Sequence, residues 1–332
     1  MNRFTTSPER QAAARIDIHQ HLWPEQFVAA LHRRRRAPRL TGRGEGLRLE
    51  LAFEPSAPFS LKPHDLGRRI ELLDREGTDR AVISISTPVG CEALPADEAA
   101  PLIAAYNDGA AELVAASRGR LEAFAATVVD APETAAADLA RQLEHGFAGL
   151  SLPSEAVATV AALDRIAPLL SLLEQRGRPL FVHPGPAPWS QPDPAATGLP
   201  GWWTSLGLYP AQSQRAFFTW RAAGAGRHPD LRVIFAIMAG GSPYLEDRYR
   251  TFARVPGAID PNVFLDTASS QRLALDLALS TYGADQVVYG TDIPVIDPAP
   301  LRRAVEAFGP AVAELLCERN PARALDPTGD FR

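Results

Sequence analysis

The residues in this chain best suited to chemistry are three histidines and an aspartate. His19 and His21 stand two apart in DIHQH, His183 closes LFVH, and Asp292 follows YGT and precedes Ile-Pro. Imidazole nitrogens and carboxylate oxygens are donors for one divalent cation; three imidazoles with one carboxylate suit zinc first, with manganese or iron as alternatives. A bound ion of that kind lowers the pKa of its water towards ~7 and supplies hydroxide at neutral pH. An HxH pair alone is a weak signal, because a strand-end His or a turn Asp commonly satisfies nearby backbone groups. The conjunction carries more weight: three of only seven histidines fall at the ends of apolar, β-branched runs. Buried there without a shared partner they would be costly.

Side chains two apart leave the same face of a strand, so the HxH pair calls for a strand whose face points into a site. Eight short runs qualify as strands, beginning at Arg15, Arg80, Leu121, Phe147, Pro179, Arg232, Val263 and Gln286. Stretches rich in Ala, Leu, Glu and Arg with helical periodicity fill most intervals, the pattern of repeated βα units over a parallel sheet. Eight such units remove both sheet edges by closing, which favours a (β/α)8 TIM barrel over an open doubly wound sheet. Neither GxGxxG nor GxxxxGK[ST] follows any run, which weakens the open-sheet alternative further. In a closed barrel, strands 1, 5 and 8 bring His19, His21, His183 and Asp292 to the C-terminal mouth, where barrel enzymes act. Asp17 is expected to share the face of the HxH pair and orient a ligating imidazole, and Asp266 to be an interior polar residue without a catalytic role.

The reading divides the chain into a tail over 1–14, the barrel over 15–326 and a tail over 327–332. Two intervals exceed what a crossover needs. Residues 37–63 contain the alternating LRLELAFEP, expected as a small hairpin outside the barrel. Residues 184–208 are rich in Pro and Gly and carry Trp189, Trp202 and Trp203, expected as a lid over a planar or apolar substrate, or as a subunit interface of a homodimer. Trp189 and Trp203 are candidate substrate-binding residues, and Arg215 is a candidate carboxylate anchor. Phe217, Phe218 and Trp220 are expected to pack in the core.

A net charge of −5 gives no reason to expect a nucleic-acid partner. No apolar run approaches the ~18 residues of a membrane span, and the start lacks a secretory apolar block, so a cytoplasmic protein acting on a small molecule is expected. Cys91 and Cys317 are expected as free buried thiols, and the run Arg33 to Arg36 as a solvated helix end.

The segments IDIHQHLWP, LFVHPG, LRVIFAIMAGGSPYLEDR, VFLDTAS, VVYGTDIP and ERNPARAL together resemble the amidohydrolase-related group of the amidohydrolase superfamily. That group includes aminocarboxymuconate semialdehyde decarboxylase, resorcylate-type decarboxylases and related hydrolases. The resemblance spans about Ile16 to Leu325. It implies that His19, His21, His183 and Asp292 hold a single metal, usually zinc and in some members manganese. The chain departs from the group in one place: where the pattern FAHxGGG supplies an acid/base His, FAIMAGG supplies Ile237. Asp292, beside His183, is therefore expected to carry the proton. Hydrolysis of an amide, lactone or cyclic imide is the favoured reaction. Decarboxylation of an aromatic or unsaturated acid is the alternative, and a metal-retaining binding protein with impaired catalysis is a third.

Overall fold

The protein is described from a computed structural model, over residues 14–52, 54–191, 198–254 and 259–326. β1 (Ile16–His21) leads into a small antiparallel sheet of β2 (Arg39–Thr41), β3 (Arg48–Glu50) and β4 (Ala57–Pro58). The main sheet continues with β5 (Arg80–Ser84), β6 (Leu121–Ala125), β7 (Gly149–Pro153), β8 (Leu180–His183), β9 (Val233–Phe235), β10 (Val263–Asp266) and β11 (Val287–Val288). The eight strands β1 and β5–β11 pair in parallel in chain order. The circuit closes where the chain beyond β11 runs alongside β1: Ile18 N–H donates to Tyr289 O at 3.0 Å, Asp292 N–H to His19 O at 2.8 Å and His21 N–H to Ile293 O at 2.6 Å. This is the expected (β/α)8 barrel.

The strands read as continuous apolar runs because both faces are covered. Inside the barrel, Ile18, Val82, Phe124, Phe181, Ile234 and Phe264 form one cluster. Outside it, Ala81, Ile83, Leu150, Leu152, Val233 and Leu265 pack with helix residues such as Leu73, Tyr106, Leu139 and Leu169. Burying each large apolar side chain contributes ~1.5–3 kcal/mol. Phe181 is central, stacked on Phe124 with centroids 5.2 Å apart and edge-on to the His19 ring at 5.0 Å. Phe181→Ala would open a void beneath that histidine and cost ~3–5 kcal/mol.

β1 departs from simple alternation. Asp17 pairs with Ala81 and Gln20 with Ile83, so three steps on β1 face two on β5, a β-bulge. Ala81 and Ile83 belong to the outer layer, and Asp17 and Gln20 lie on that side too, joined by a 2.7 Å bond from Gln20 Nε2 to Asp17 Oδ2. Ile18 and His19 consequently both face the barrel interior. The extra residue overturns the expectation that Asp17 shares the face of the histidines.

The insertion is a three-stranded sheet rather than a hairpin. Residues 192–197 of the expected lid lie outside the described residues. Beyond them, Trp202 and Trp203 are helical and lead through a wide turn at Thr204–Leu208 into the helix Tyr209–Thr219. A Cβ on Gly207 would lie 2.7 Å from the Trp203 ring, so this indole folds back along its own helix. Phe217 and Trp220 are buried as expected, and both cysteines are free and buried. Arg34 is not a solvated end: it is bound to Glu98 at 2.8 Å and to the Pro38 carbonyl at 2.9 Å. No helix among the described residues is long and apolar enough to cross a membrane.

Glu92 is fully buried, and no other described residue donates to either carboxylate oxygen. Burial raises its pKa to about 8. The folded chain then holds this proton more tightly than the unfolded chain, so the associated stability is complete below the ordinary value of 4.5 and is lost as pH rises through 8. Glu92→Gln removes that loss. Its melting temperature should match the parent near pH 4 and exceed it by several degrees near pH 9; an equal difference at both pH values would refute this.

Candidate metal centre

His19 and His21 sit at the C-terminal end of β1, His183 at that of β8, and Asp292 on the segment that closes the barrel. One donor atom from each lies within 4.8 Å of all the others, and all four residues are buried. The three imidazole centroids form a near-equilateral triangle of 5.0, 4.9 and 5.0 Å, with ring planes 84 to 90° apart.

The outer nitrogen of each ring is committed. His19 Nδ1 meets Asp266 Oδ2 at 2.7 Å, His21 Nδ1 meets the Ser84 carbonyl at 3.1 Å, and His183 Nδ1 meets the Pro184 carbonyl at 2.9 Å. These acceptors fix the proton of each neutral ring on Nδ1, which directs the Nε2 lone pairs inward. His19 Nε2 and His21 Nε2 are 3.3 Å apart. Asp292 Oδ1 lies 3.4 and 3.1 Å from them, yet is a buried acceptor without a hydrogen-bond partner. Three inward lone pairs and an unpartnered carboxylate oxygen fit one divalent cation.

Burial alone would push the His19 ionisation down, but Asp266 and Asp292 overcome it and raise the pKa to about 9. His183 is driven well below its ordinary value by burial and by the neighbouring His19 and His21. For Asp292, burial opposes ionisation, but His19 and His21 hold the carboxyl below its usual range.

Asp266 is the interior polar residue expected, and it holds the imidazole-orienting place expected of Asp17. Asp266 orients the imidazole of His19, and its Oδ1 also accepts from the Ile237 N–H at 2.8 Å. Asp17, turned outward by the bulge, accepts from the Thr291 N–H and hydroxyl at 3.1 and 2.5 Å and so holds the segment carrying Asp292. Asp292 itself has φ 62°, a left-handed conformation costing ~1–2 kcal/mol for a residue with a side chain. Asp266→Asn should lower metal affinity roughly 10- to 100-fold, because the amide no longer fixes the His19 ring as the carboxylate does. Chelator competition that gave the parent affinity would dismiss this role.

Ile237 begins a left-handed stretch, with φ of 49, 54, 48, 68 and 81° from Ile237 to Gly241. The stretch is held by Asp266 at one end and by Gln214 Nε2 donating to the Gly240 carbonyl at 2.7 Å. Its first side chain has no proton to give.

A cavity of about 460 Å³ opens beside His21, within the range of small-molecule sites. Trp23 from beyond β1, Leu49, Leu51 and Phe59 from the insertion, and Pro294 and Val295 from beyond Asp292 form much of its wall, and no Lys or Arg among the described residues lines it. Trp189, Trp203 and Arg215 are not among its lining residues. Trp189 is tied to the Glu155 carbonyl at 3.1 Å with Arg165 over its ring, and Arg215 is largely exposed beside Glu155 on a separate surface groove. The tryptophans have packing surfaces of their own, so the insertion supplies the wall.

Two residues at this site escaped the sequence reading. Arg69 is buried and donates to Gln20 Oε1 and to the His21 carbonyl, each at 2.9 Å, and to the Pro63 carbonyl at 3.0 Å, joining β1 to the end of the insertion. Its signal was spacing: Leu66, Arg69, Ile70 and Leu73 fall on one helical stripe. His64 lines the cavity, and burial, with Arg69 and His21 nearby, lowers its pKa to about 3. A single His in LKPHD offers no comparable cue.

A parallel barrel with a mononuclear N3O donor set at its C-terminal mouth defines a class of metalloenzyme folds. The Amidohydrolase family profile matches residues 16–326, and the chain belongs to that family. A gamma-resorcylate decarboxylase from Rhodococcus jostii is 28% identical over 255 residues, covering 68% of this chain and 76% of the relative. The fold is shared with the IDCase of Metarhizium anisopliae in its apo form (TM-score 0.78, 22% identity, 94% of this chain and 97% of that one). It is shared as well with a 5-carboxyvanillate decarboxylase from Novosphingobium aromaticivorans, complexed with manganese and 4-hydroxy-3-methoxy-5-nitrobenzoic acid (TM-score 0.73, 20% identity, 94% and 96%).

Proposed function

We propose that this chain is a metal-dependent, non-oxidative decarboxylase of a small aromatic acid, with manganese rather than zinc as its first candidate ion. The observation that carries the reading is the cavity beside His21, apolar over most of its wall and without a Lys or Arg among the described residues that line it. A flat ring can be buried there, but its carboxylate finds no Arg or Lys. The relatives, named as decarboxylases, favour this reaction over the hydrolysis that the residues alone suggested.

Bound by His19, His21, His183 and Asp292, a divalent ion would supply the positive charge that the substrate's oxygen atoms require. The chain's own residues do the rest. The wall of Trp23, Leu49, Leu51 and Phe59 holds the ring and excludes water. As the carbon–carbon bond breaks, its electron pair stays on the ring carbon, carbon dioxide leaves, and a proton must take the vacated position. Ile237 has no proton to offer, so Asp292 collects one from solvent and delivers it, returning to the carboxylate that His19 and His21 stabilise.

The test is turnover of manganese-loaded protein on hydroxylated benzoates in heavy water. Carbon dioxide release with one deuterium at the vacated ring position is expected. Turnover of lactones or cyclic amides without any decarboxylation of the acids would remove the proposal.

A further inference from the structure

One wall of the cavity carries three rings stacked in nearly parallel planes. Trp23 and Phe59 lie 4.7 Å apart at 21°, and His64 lies 5.2 Å from each, at 27° and 19°. The backbone N–H of Trp23 donates to His64 Nδ1 at 3.0 Å. A backbone amide can only donate, so Nδ1 must accept, and the proton of the neutral ring resides on Nε2. That nitrogen has no protein partner among the described residues, although the ring lines the cavity shared with His21. The indole N–H of Trp23, on the same wall, is also unpartnered and buried. The other uncharged donors lining the cavity are the hydroxyls of Ser60 and Ser86, which can rotate, whereas the His64 donor is fixed in direction by the ring and its bond to Trp23.

We propose that His64 is a specificity-determining residue, its Nε2–H donating to an oxygen substituent, hydroxyl or methoxy, on the aromatic ring of the bound acid. The inference rests on the aromatic-acid reading above and adds the feature that separates oxygenated rings from bare ones. A bare benzoate leaves this fixed donor without an acceptor in an apolar wall, whereas an oxygenated ring satisfies it. Selectivity then arises largely from the cost of an unmet donor, as in sites that reject analogues lacking one hydroxyl.

The experiment uses full-length, manganese-loaded protein, titrated calorimetrically with 2,6-dihydroxybenzoate, 2-hydroxybenzoate and benzoate. His64→Phe keeps a ring on the wall and removes the donor. It should weaken at least one hydroxylated acid about tenfold while benzoate stays within roughly twofold of the parent. In turnover KM should rise more than kcat falls, and metal content should be unchanged. His64→Gln, which can present an amide N–H towards the cavity, should recover part of the loss. Should His64→Phe fail to fold, His64→Asn makes the same discrimination: its amide oxygen can still accept from Trp23, while its nitrogen falls short of the cavity. Equal losses for hydroxylated and bare acids, or no loss, would overturn the role of His64. A protein that showed this binding pattern yet released no carbon dioxide would overturn the decarboxylase reading and leave His64 standing; active protein whose His64 variants did not discriminate would do the reverse.

Discussion

Asp292→Asn should fold as the parent does and lose decarboxylation by ~10³-fold or more, since it removes both an anionic donor and the group that carries the proton. The amide has the shape of the carboxyl, so the backbone bonds from Asp292 N–H to His19 O and from Val295 N–H to Asp292 O survive. What disappears is the charge facing His19 and His21 at 3.4 and 3.1 Å. Elemental analysis separates the two consequences. A variant that keeps its ion but not its turnover isolates the proton-carrying role, and one that loses both points to ligation. Near-parental rates on the same acids would contradict the assignment altogether, because Ile237 cannot take over.

Stripping the ion should be as severe. Dialysis against a chelator is expected to abolish turnover, and manganese to restore it. The cavity walls stay in place, because the hydrophobic clusters of the barrel do not depend on the four donors. Stability should fall moderately rather than collapse. An ion held at about 100 times its dissociation constant contributes ~2.7 kcal/mol, which at this chain length corresponds to roughly 4 °C in melting temperature. Unfolding of the stripped protein at room temperature would mean that the ion is structural. No shift at all, with activity intact, would mean that the four donors hold nothing the reaction uses.

The eight strands, their order and the convergence of His19, His21, His183 and Asp292 were legible because each rests on a local rule. Apolar runs fix strands, closure fixes the mouth, and donor type points to a divalent cation without choosing among them. The outward turn of Asp17 was not legible, since a bulge adds one residue without any compositional mark and reverses which side chains look inward. Trp203 and Arg215 stand in a neighbourhood rich in Pro, Gly and aromatics; that they do not line the cavity beside His21, that a helix continues through Trp203 and that Arg215 pairs with Glu155 are tertiary facts composition does not display. Arg69 was hidden for another reason: a charged residue on an apolar helical stripe is ordinarily assigned to solvent, and its burial is explained by Gln20 Oε1 and the His21 and Pro63 carbonyls. The insertion was visible as an interruption, but nothing in LRLELAFEP says that it would overlie the mouth.

The bulge in β1 also constrains how this site can change. Parity along this strand is set by a count of residues rather than by their kind, with Asp17 and Gln20 kept outside and His19 and His21 inside. Removing a single residue between Asp17 and Gln20 would bring the strand back into phase with its neighbour and turn one of those pairs to the wrong side. Point substitutions can therefore retune the donors one at a time, whereas a one-codon deletion here would dismantle the centre and its outer brace together.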